Sequence, residues 1–309
     1  MGWLKSPCKL GAMAHRAPIT LITGSDLPVT DTETPLLSSA LRSLGVESEV
    51  AAWRNPRDWR QSPLIVLRTP WDYVAHVEEF RVWVTMVGGV SRLKNTPDVV
   101  LWNLQKDYLL DLQRGDVATV PTLLFRRGQS NDPSRALSEL RLQCQWEVVV
   151  VKPTVGINAG GSMRGRIEDP VVGNHFAQLL QRGDVLVQPF LPAITSEGEL
   201  PLIFVDSIFT HAVRKRPKHG DYRVQNNHGG TVGPYEPSAK ELAVASAALA
   251  CSPSRTTYAR VDLAYFEQGP VVMELELIEP ELFLRFSSKG TNALAHSLKA
   301  ALIESCITK

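Results

Sequence analysis

The stretch VVMELELIEP, residues 271–280, sets three carboxylates, Glu274, Glu276 and Glu279, among apolar neighbours. It follows YARVDLAYF, residues 258–266, which carries Arg260 and Asp262. A turn read at Gln268-Gly269-Pro270 joins the two as a β-hairpin. Side chains alternate along a strand, so Glu274 and Glu276 share a face, with Cα atoms about 7 Å apart. Register decides what opposes them. A three-residue loop pairs Asp262 with Glu276 and gathers three carboxylates on one surface. A four-residue loop sets Asp262 opposite Leu275, on the other face. Two like charges about 4 Å apart repel by roughly 4 kcal/mol at an effective dielectric of ~20. Such a group requires protonation, an arginine such as Arg260, or a hard divalent cation. Oxygen-only ligands suit Mg²⁺ or Mn²⁺ rather than zinc. A solvated strand face with basic partners is the competing reading.

Cations follow the same logic. Lys152 closes the run VVVV, and an unpaired lysine at a buried strand end is costly. A phosphate would satisfy it. Four residues on, GINAGGSMRG holds Gly156, Gly160, Gly161 and Gly165, whose backbone N–H groups can approach anionic oxygens. The loop is neither a Walker A sequence nor GxGxxG. Lys106 falls in VVLWNLQKDYLL, read as a strand followed by a helix over 103–115, where a plain surface lysine is the alternative. Residues 211–230 contain Arg214, Lys215, Arg216, Lys218 and Arg223 against one acid, Asp221. With Tyr222 as its one stacking aromatic, this cluster suits substrate anions better than nucleic acid.

The elements that must position these groups alternate strand and helix from Ala17 to Trp102, which predicts a parallel, Rossmann-like sheet. Strong strands follow at 146–153 and 184–190, and helices at 136–144, 238–250 and 291–304. The fold class is therefore α/β. With 309 residues and a net charge of +1, no bulk electrostatic attraction to nucleic acid or membrane is expected. No apolar run approaches the ~20 residues of a membrane span. Four well-separated cysteines fit a reducing cytoplasm. Residues 1–16 read as a disordered tail, with Met13 as an alternative start.

The ordered set of a helix lysine, a strand-end lysine with a glycine loop, a Gln-Pro-Phe strand end, an Arg-rich segment and an Asp…Glu-x-Glu hairpin resembles the ATP-grasp ligases across about residues 18–305. RTPWDY, WNLQKDYLL, VVVKPTVGINAGGS, GDYRVQNNHGG and ELELIEP look more narrowly like the cyclo-ligases that act on O-ureido-serine in D-cycloserine biosynthesis. The resemblance implies an ATP-grasp fold with an N-terminal domain over 17–102 and two ATP-enclosing α+β subdomains over 103–188 and 189–309. It implies ATP and Mg²⁺ (or Mn²⁺), two ions, as cofactors and a small amino-acid-like substrate; a homodimer stays open.

Implied for ATP are Lys106 and Lys152 at the phosphates, with the loop of Gly156, Gly160 and Gly161 closing over them. Gln188, Phe190 and Leu191 would line the adenine pocket, and Glu197 would meet the ribose. Asp262, Glu274 and Glu276 would hold the metal, although the superfamily commonly has asparagine where Glu276 stands, and Glu279 is a rival ligand. Arg223, with Arg214 second, would stabilise an acylphosphate. Arg68, Trp71, Tyr73 and Asn227 would select the substrate. The chemistry implied is carboxylate activation by ATP and C–N bond formation. A peptide- or protein-modifying ligase and a non-catalytic nucleotide-binding module are the alternatives.

Overall fold

In the computed structural model, the structure describes residues 18–25, 27, 30–128, 133–218, 229–267 and 269–307. β1 (Ile19–Thr23), α1 (Glu33–Ser43), β2 (Ser48–Ala52), β3 (Leu64–Thr69), α2 (Val77–Val90) and β4 (Arg92–Lys94) form a parallel sheet in the order β2-β1-β3-β4. β3 is apolar on both faces because both are covered. Leu64 and Val66 pack with Leu37 and Leu41 of α1, while Ile65 and Leu67 pack with Phe80 and Val84 of α2.

The predicted strand and helix around Lys106 are instead two short helices, α3 (Pro97–Asn103) and α4 (Tyr108–Arg114). Pro97, at the first helical position, pre-sets the backbone for α3. Lys106 thus lies in the turn between the helices. Its backbone N–H donates to the Thr154 carbonyl at 2.8 Å, which fixes it against the next sheet.

That sheet is antiparallel, ordered β5-β8-β6-β7, from β5 (Leu123–Phe125), β6 (Val148–Pro153), β7 (Met163–Arg166) and β8 (Val185–Pro189). α5 (Pro133–Cys144) and α6 (Pro170–Arg182) pack on it around Leu140, Val149, Phe176 and Val187. The last sheet is also antiparallel, ordered β11-β10-β9-β12-β13. It is built from β9 (Leu200–Val205), β10 (Ile208–Arg216), β11 (Thr231–Tyr235), β12 (Tyr258–Phe266) and β13 (Gly269–Glu276). α7 (Ala193–Ser196) precedes it, and α8 (Ala239–Ala250) and α9 (Ser288–Ile307) cover its two faces.

The hairpin adopts neither expected register. Phe266 pairs with Gly269, so the connection is two residues, and Asp262 pairs with Glu274 and Arg260 with Glu276. A bulge makes this arrangement possible. Leu263 pairs with Val272, leaving Met273 as an extra residue on β13. Without it, Asp262 would face Met273; with it, the acids of both strands share one surface.

β13 is an edge strand, and its outer backbone groups are capped by side chains. The Asn103 amide donates to the Leu275 carbonyl at 2.8 Å and accepts from the Leu277 N–H at 2.8 Å. The Leu275 N–H donates to the Tyr108 hydroxyl oxygen at 2.9 Å. Val272 exchanges backbone bonds with Ala118 and Val120.

Candidate active site

The three sheets enclose a cavity of about 590 Å³. Its apolar end is formed by Val120, Leu191 and Ile194, packed with Ala264, Val271 and Met273. Gln188 lies at the adjoining β8 end, where its side-chain amide donates to Thr122 at 2.8 Å. Phe190 also lines the cavity, with the Arg164 guanidinium 3.8 Å from its ring centroid. Its backbone N–H is already bonded to the Val148 carbonyl.

Lys106 and Lys152 converge from different elements on Glu274. Lys152 Nζ lies 3.1 Å from its carboxylate and Lys106 Nζ 4.0 Å, while Lys106 also donates to the Gly156 carbonyl at 2.8 Å. Burial works to raise the Glu274 pKa, but Lys106, Lys152 and Arg260 outweigh it and hold the carboxyl down at about 2. Gly156 and Gly160 line the cavity, whereas Gly161 faces Pro153 and bonds through its carbonyl to His175. Gly161 has φ +74, so glycine suits this turn.

Asp262, Glu274 and Glu276 each present a carboxylate oxygen, all within 4.8 Å of one another. Arg260 stands beside them with both ends of its guanidinium engaged. Nε and Nη2 donate to the two oxygens of Asp262 at 2.8 Å each, and Nη2 also donates to Glu276. Each carboxylate oxygen keeps a second lone pair, so the guanidinium leaves acceptor capacity on the set. Burial, with Asp262, Glu274 and Glu279 nearby, pushes the Glu276 carboxyl up to about 8 against the pull of Arg260. Three converging hard oxygen donors fit Mg²⁺. Glu279 falls outside this set and accepts from the Tyr73 hydroxyl at 2.8 Å.

Several expected site residues lie elsewhere. Arg214 stacks on Tyr235 at 4.3 Å, on the α8 side of its sheet. Strand alternation instead sends Lys215 into the cavity, where it pairs with Glu199 at 2.9 Å. Burial opposes charge on Lys215, but Glu199 and Asp262 raise its pKa and hold it as a cation. Glu197 ends α7, exposed and away from the cavity. Gly198, at φ +90, then turns the chain inward, and a Cβ there would sit 2.2 Å from the Lys215 carbonyl oxygen. The residue delivered to the cavity is therefore Glu199.

Arg68 borders the cavity but is 2% exposed, with Nη2 3.4 Å from both Glu33 and the Pro280 carbonyl. Through Nη2 it holds the chain after β13, while Nε and Nη1 are buried without a hydrogen-bond partner. Trp71 and Tyr73 also line the cavity. Arg223 and Asn227 lie outside the described residues.

Arg260, read from sequence as a partner for the acids, and Lys215, read within the basic cluster, both reach the cavity, as does Glu199. The Arg-x-Asp spacing places Arg260 on the same face as Asp262, which was a usable signal.

A curated relative, the cycloserine biosynthesis protein DcsG of Streptomyces lavendulae, is 32% identical over 302 residues, covering 92% of this chain and 98% of that protein. The chain belongs to the D-cycloserine synthetase family. Residues 19–95 match the family model described as D-cycloserine synthetase DcsG, N-terminal domain. The crystal structure of D-cycloserine synthetase DcsG superposes with a TM-score of 0.84 at 30% identity, covering 92% of this chain and 99% of that one. More distant neighbours identify the fold of the family as ATP-grasp. The ligase PsnB, with its minimal precursor, gives a TM-score of 0.65 at 17% identity, covering 92% and 99% of the two chains. D-alanine–D-alanine ligase from Bacillus anthracis gives 0.63 at 12%, covering 94% and 99%. Among the described residues, no helix is long and apolar enough to cross a membrane.

Proposed function

We propose that this chain is an ADP-forming, ATP-dependent carboxylate–amine ligase of the cyclo-ligase type, acting on a small amino-acid-like substrate such as O-ureido-serine. One observation carries the reading: two lysines from separate elements, a three-carboxylate set and a buried arginine meet in one enclosed cavity.

In this reading the apolar end beside Gln188, Phe190 and Leu191 takes adenine, and Glu199 takes the ribose in place of Glu197. Lys106, Lys152 and the Gly156–Gly160 loop bind the phosphates. Asp262, Glu274 and Glu276 hold two Mg²⁺ ions. The metal, when bound, neutralises phosphate charge and favours displacement at phosphorus.

The substrate carboxylate attacks the γ-phosphorus while the bond to the ADP oxygen breaks, giving an acylphosphate. A nitrogen nucleophile then attacks the carbonyl carbon, phosphate leaves and the nitrogen loses its proton. Arg260 and Lys215 are the described cations placed to offset charge on the phosphoryl and carbonyl oxygens, with Arg223 a further candidate. Trp71 and Tyr73 shape the substrate end.

The unpaired thiols of Cys144 and Cys251 support a cytoplasmic setting. Domain limits at 102/103 and 188/189 and a homodimer complete the proposal. They are open to limited proteolysis and light scattering.

The test is Mg²⁺-dependent ADP release with O-ureido-serine, a panel of amino acids and a panel of peptides. Release with O-ureido-serine or another amino acid, abolished by Glu276→Gln, supports the reading. Release with peptides alone assigns a peptide ligase. ATP binding without turnover across both panels leaves a nucleotide-binding module.

A further inference from the structure

Four acidic side chains that border the cavity are buried: Glu33, Glu199, Asp262 and Glu279, none more than 9% exposed. Three have a cation of their own. Arg68 serves Glu33, Lys215 serves Glu199 and Arg260 serves Asp262. Glu279 has no ion pair among the described residues; its recorded side-chain partner is the neutral Tyr73 hydroxyl at 2.8 Å. A buried carboxylate without a counter-charge is costly, and its usual remedies are a proton or a cationic partner. Burial does raise the Glu279 pKa, against Tyr73 and Lys106.

The backbone on both sides of Glu279 is held by side chains, and its carboxylate is held by Tyr73. Glu33 accepts from the backbone N–H groups of Leu282 and Leu284 at 2.6 Å each. Arg260 Nη1 donates to the Glu281 carbonyl at 3.1 Å, and the Tyr258 hydroxyl lies 3.0 Å from the Ile278 carbonyl. The Tyr73 ring is itself locked by stacking on Phe80 at 4.8 Å. A pinned, buried anion on a cavity wall is a preorganised cation subsite.

Resting on the ligase reading, we infer that Glu279, oriented by Tyr73, is the subsite for the ammonium group of an α-amino acid whose carboxylate reacts beside Asp262, Glu274 and Glu276. Two bonds separate an α-nitrogen from its carboxyl carbon, so the amine subsite must adjoin the reacting end. Glu279 stands three positions beyond Glu276, lines the same cavity and is near enough for its charge to act on the Glu276 carboxyl. It is not part of the three-carboxylate set, which argues for an organic cation over a metal ion. Trp71, which also lines the cavity, adds an aromatic surface suited to an ammonium group.

The test compares O-ureido-serine with its des-amino analogue, in which hydrogen replaces the α-amine. Binding of each is measured calorimetrically to the full chain with Mg²⁺ and AMPPNP. Because breaking a buried charge pair costs ~3–5 kcal/mol, the wild type should prefer the amino compound by at least about 100-fold. Glu279→Gln should reduce that preference to within about threefold, and Tyr73→Phe should lower it by about tenfold. AMPPNP affinity and Mn²⁺ affinity should stay unchanged in Glu279→Gln, which also verifies folding. A wild type without the preference, or a Glu279→Gln variant that keeps it, overturns the inference. So does a fall in Mn²⁺ affinity, which would make Glu279 a metal ligand. Failure of ADP release with the binding preference intact would sink the ligase reading alone.

Discussion

Asn103→Leu tests how the metal-binding strand is held. The Asn103 amide bridges the Leu275 carbonyl and the Leu277 N–H, the backbone groups on either side of Glu276. Leucine has nearly the same shape but no polar atoms, so the substitution leaves one buried acceptor and one buried donor without partners. Each such group costs about 1–3 kcal/mol, which sums to about 2–6 kcal/mol of lost stability. Because the two bonds flank Glu276, the loss should also loosen its carboxylate and weaken Mn²⁺ binding in the presence of ADP. Asn103→Asp keeps an acceptor for the Leu277 N–H but sets a second oxygen against the Leu275 carbonyl and buries a charge beside Glu274 and Glu276, so it should be at least as destabilising as leucine. Urea unfolding followed by tryptophan fluorescence gives the stability term, and Mn²⁺ titration gives the site term. A leucine variant within about 0.5 kcal/mol of wild type, with unchanged Mn²⁺ affinity, would refute the reasoning.

Other consequences are sharp enough to measure. Arg260→Lys should lower kcat by about 10²–10³-fold with little change in ATP affinity, since the charge remains while the two-pronged geometry is lost; an unchanged kcat removes Arg260 from the reaction. Glu199→Gln should erase the preference for ATP over 2′,3′-dideoxy-ATP, and Glu197→Gln should leave it intact; the opposite pattern restores Glu197 to the ribose site. The Glu274 pKa is depressed in the folded state, so its contribution to stability is present above the unfolded value and is lost as pH falls from about 4.5 to about 2. The shift corresponds to about 3 kcal/mol, so unfolding free energy of Glu274→Gln should fall less steeply than wild type over that window; parallel slopes contradict the lysine–Glu274 assignment.

The parts of the fold carried by local signals were legible. The apolar run at β3, the helical spacing in α1 and α8, and the strand-end position of Lys152 each depend on neighbours in sequence. What sequence could not settle was phase and register. The acids of VVMELELIEP meet Asp262 only because Met273 bulges out. The phase of β10 decided between Arg214 and Lys215, and the turn at Gly198 decided between Glu197 and Glu199. Asn103 and Tyr108 reach β13 across more than 160 residues, a contact that no local pattern encodes.

The account rests on transfer of a phosphoryl group from ATP to a substrate carboxylate. O-Ureido-serine carrying ¹⁸O in its carboxylate, turned over with Mg²⁺ and ATP, puts this directly to the test. The account predicts one ¹⁸O atom in each phosphate released with product, read by mass spectrometry. Phosphate free of label, formed at the same rate as ADP, would mean that water and not the carboxylate receives the phosphoryl group, and would contradict it.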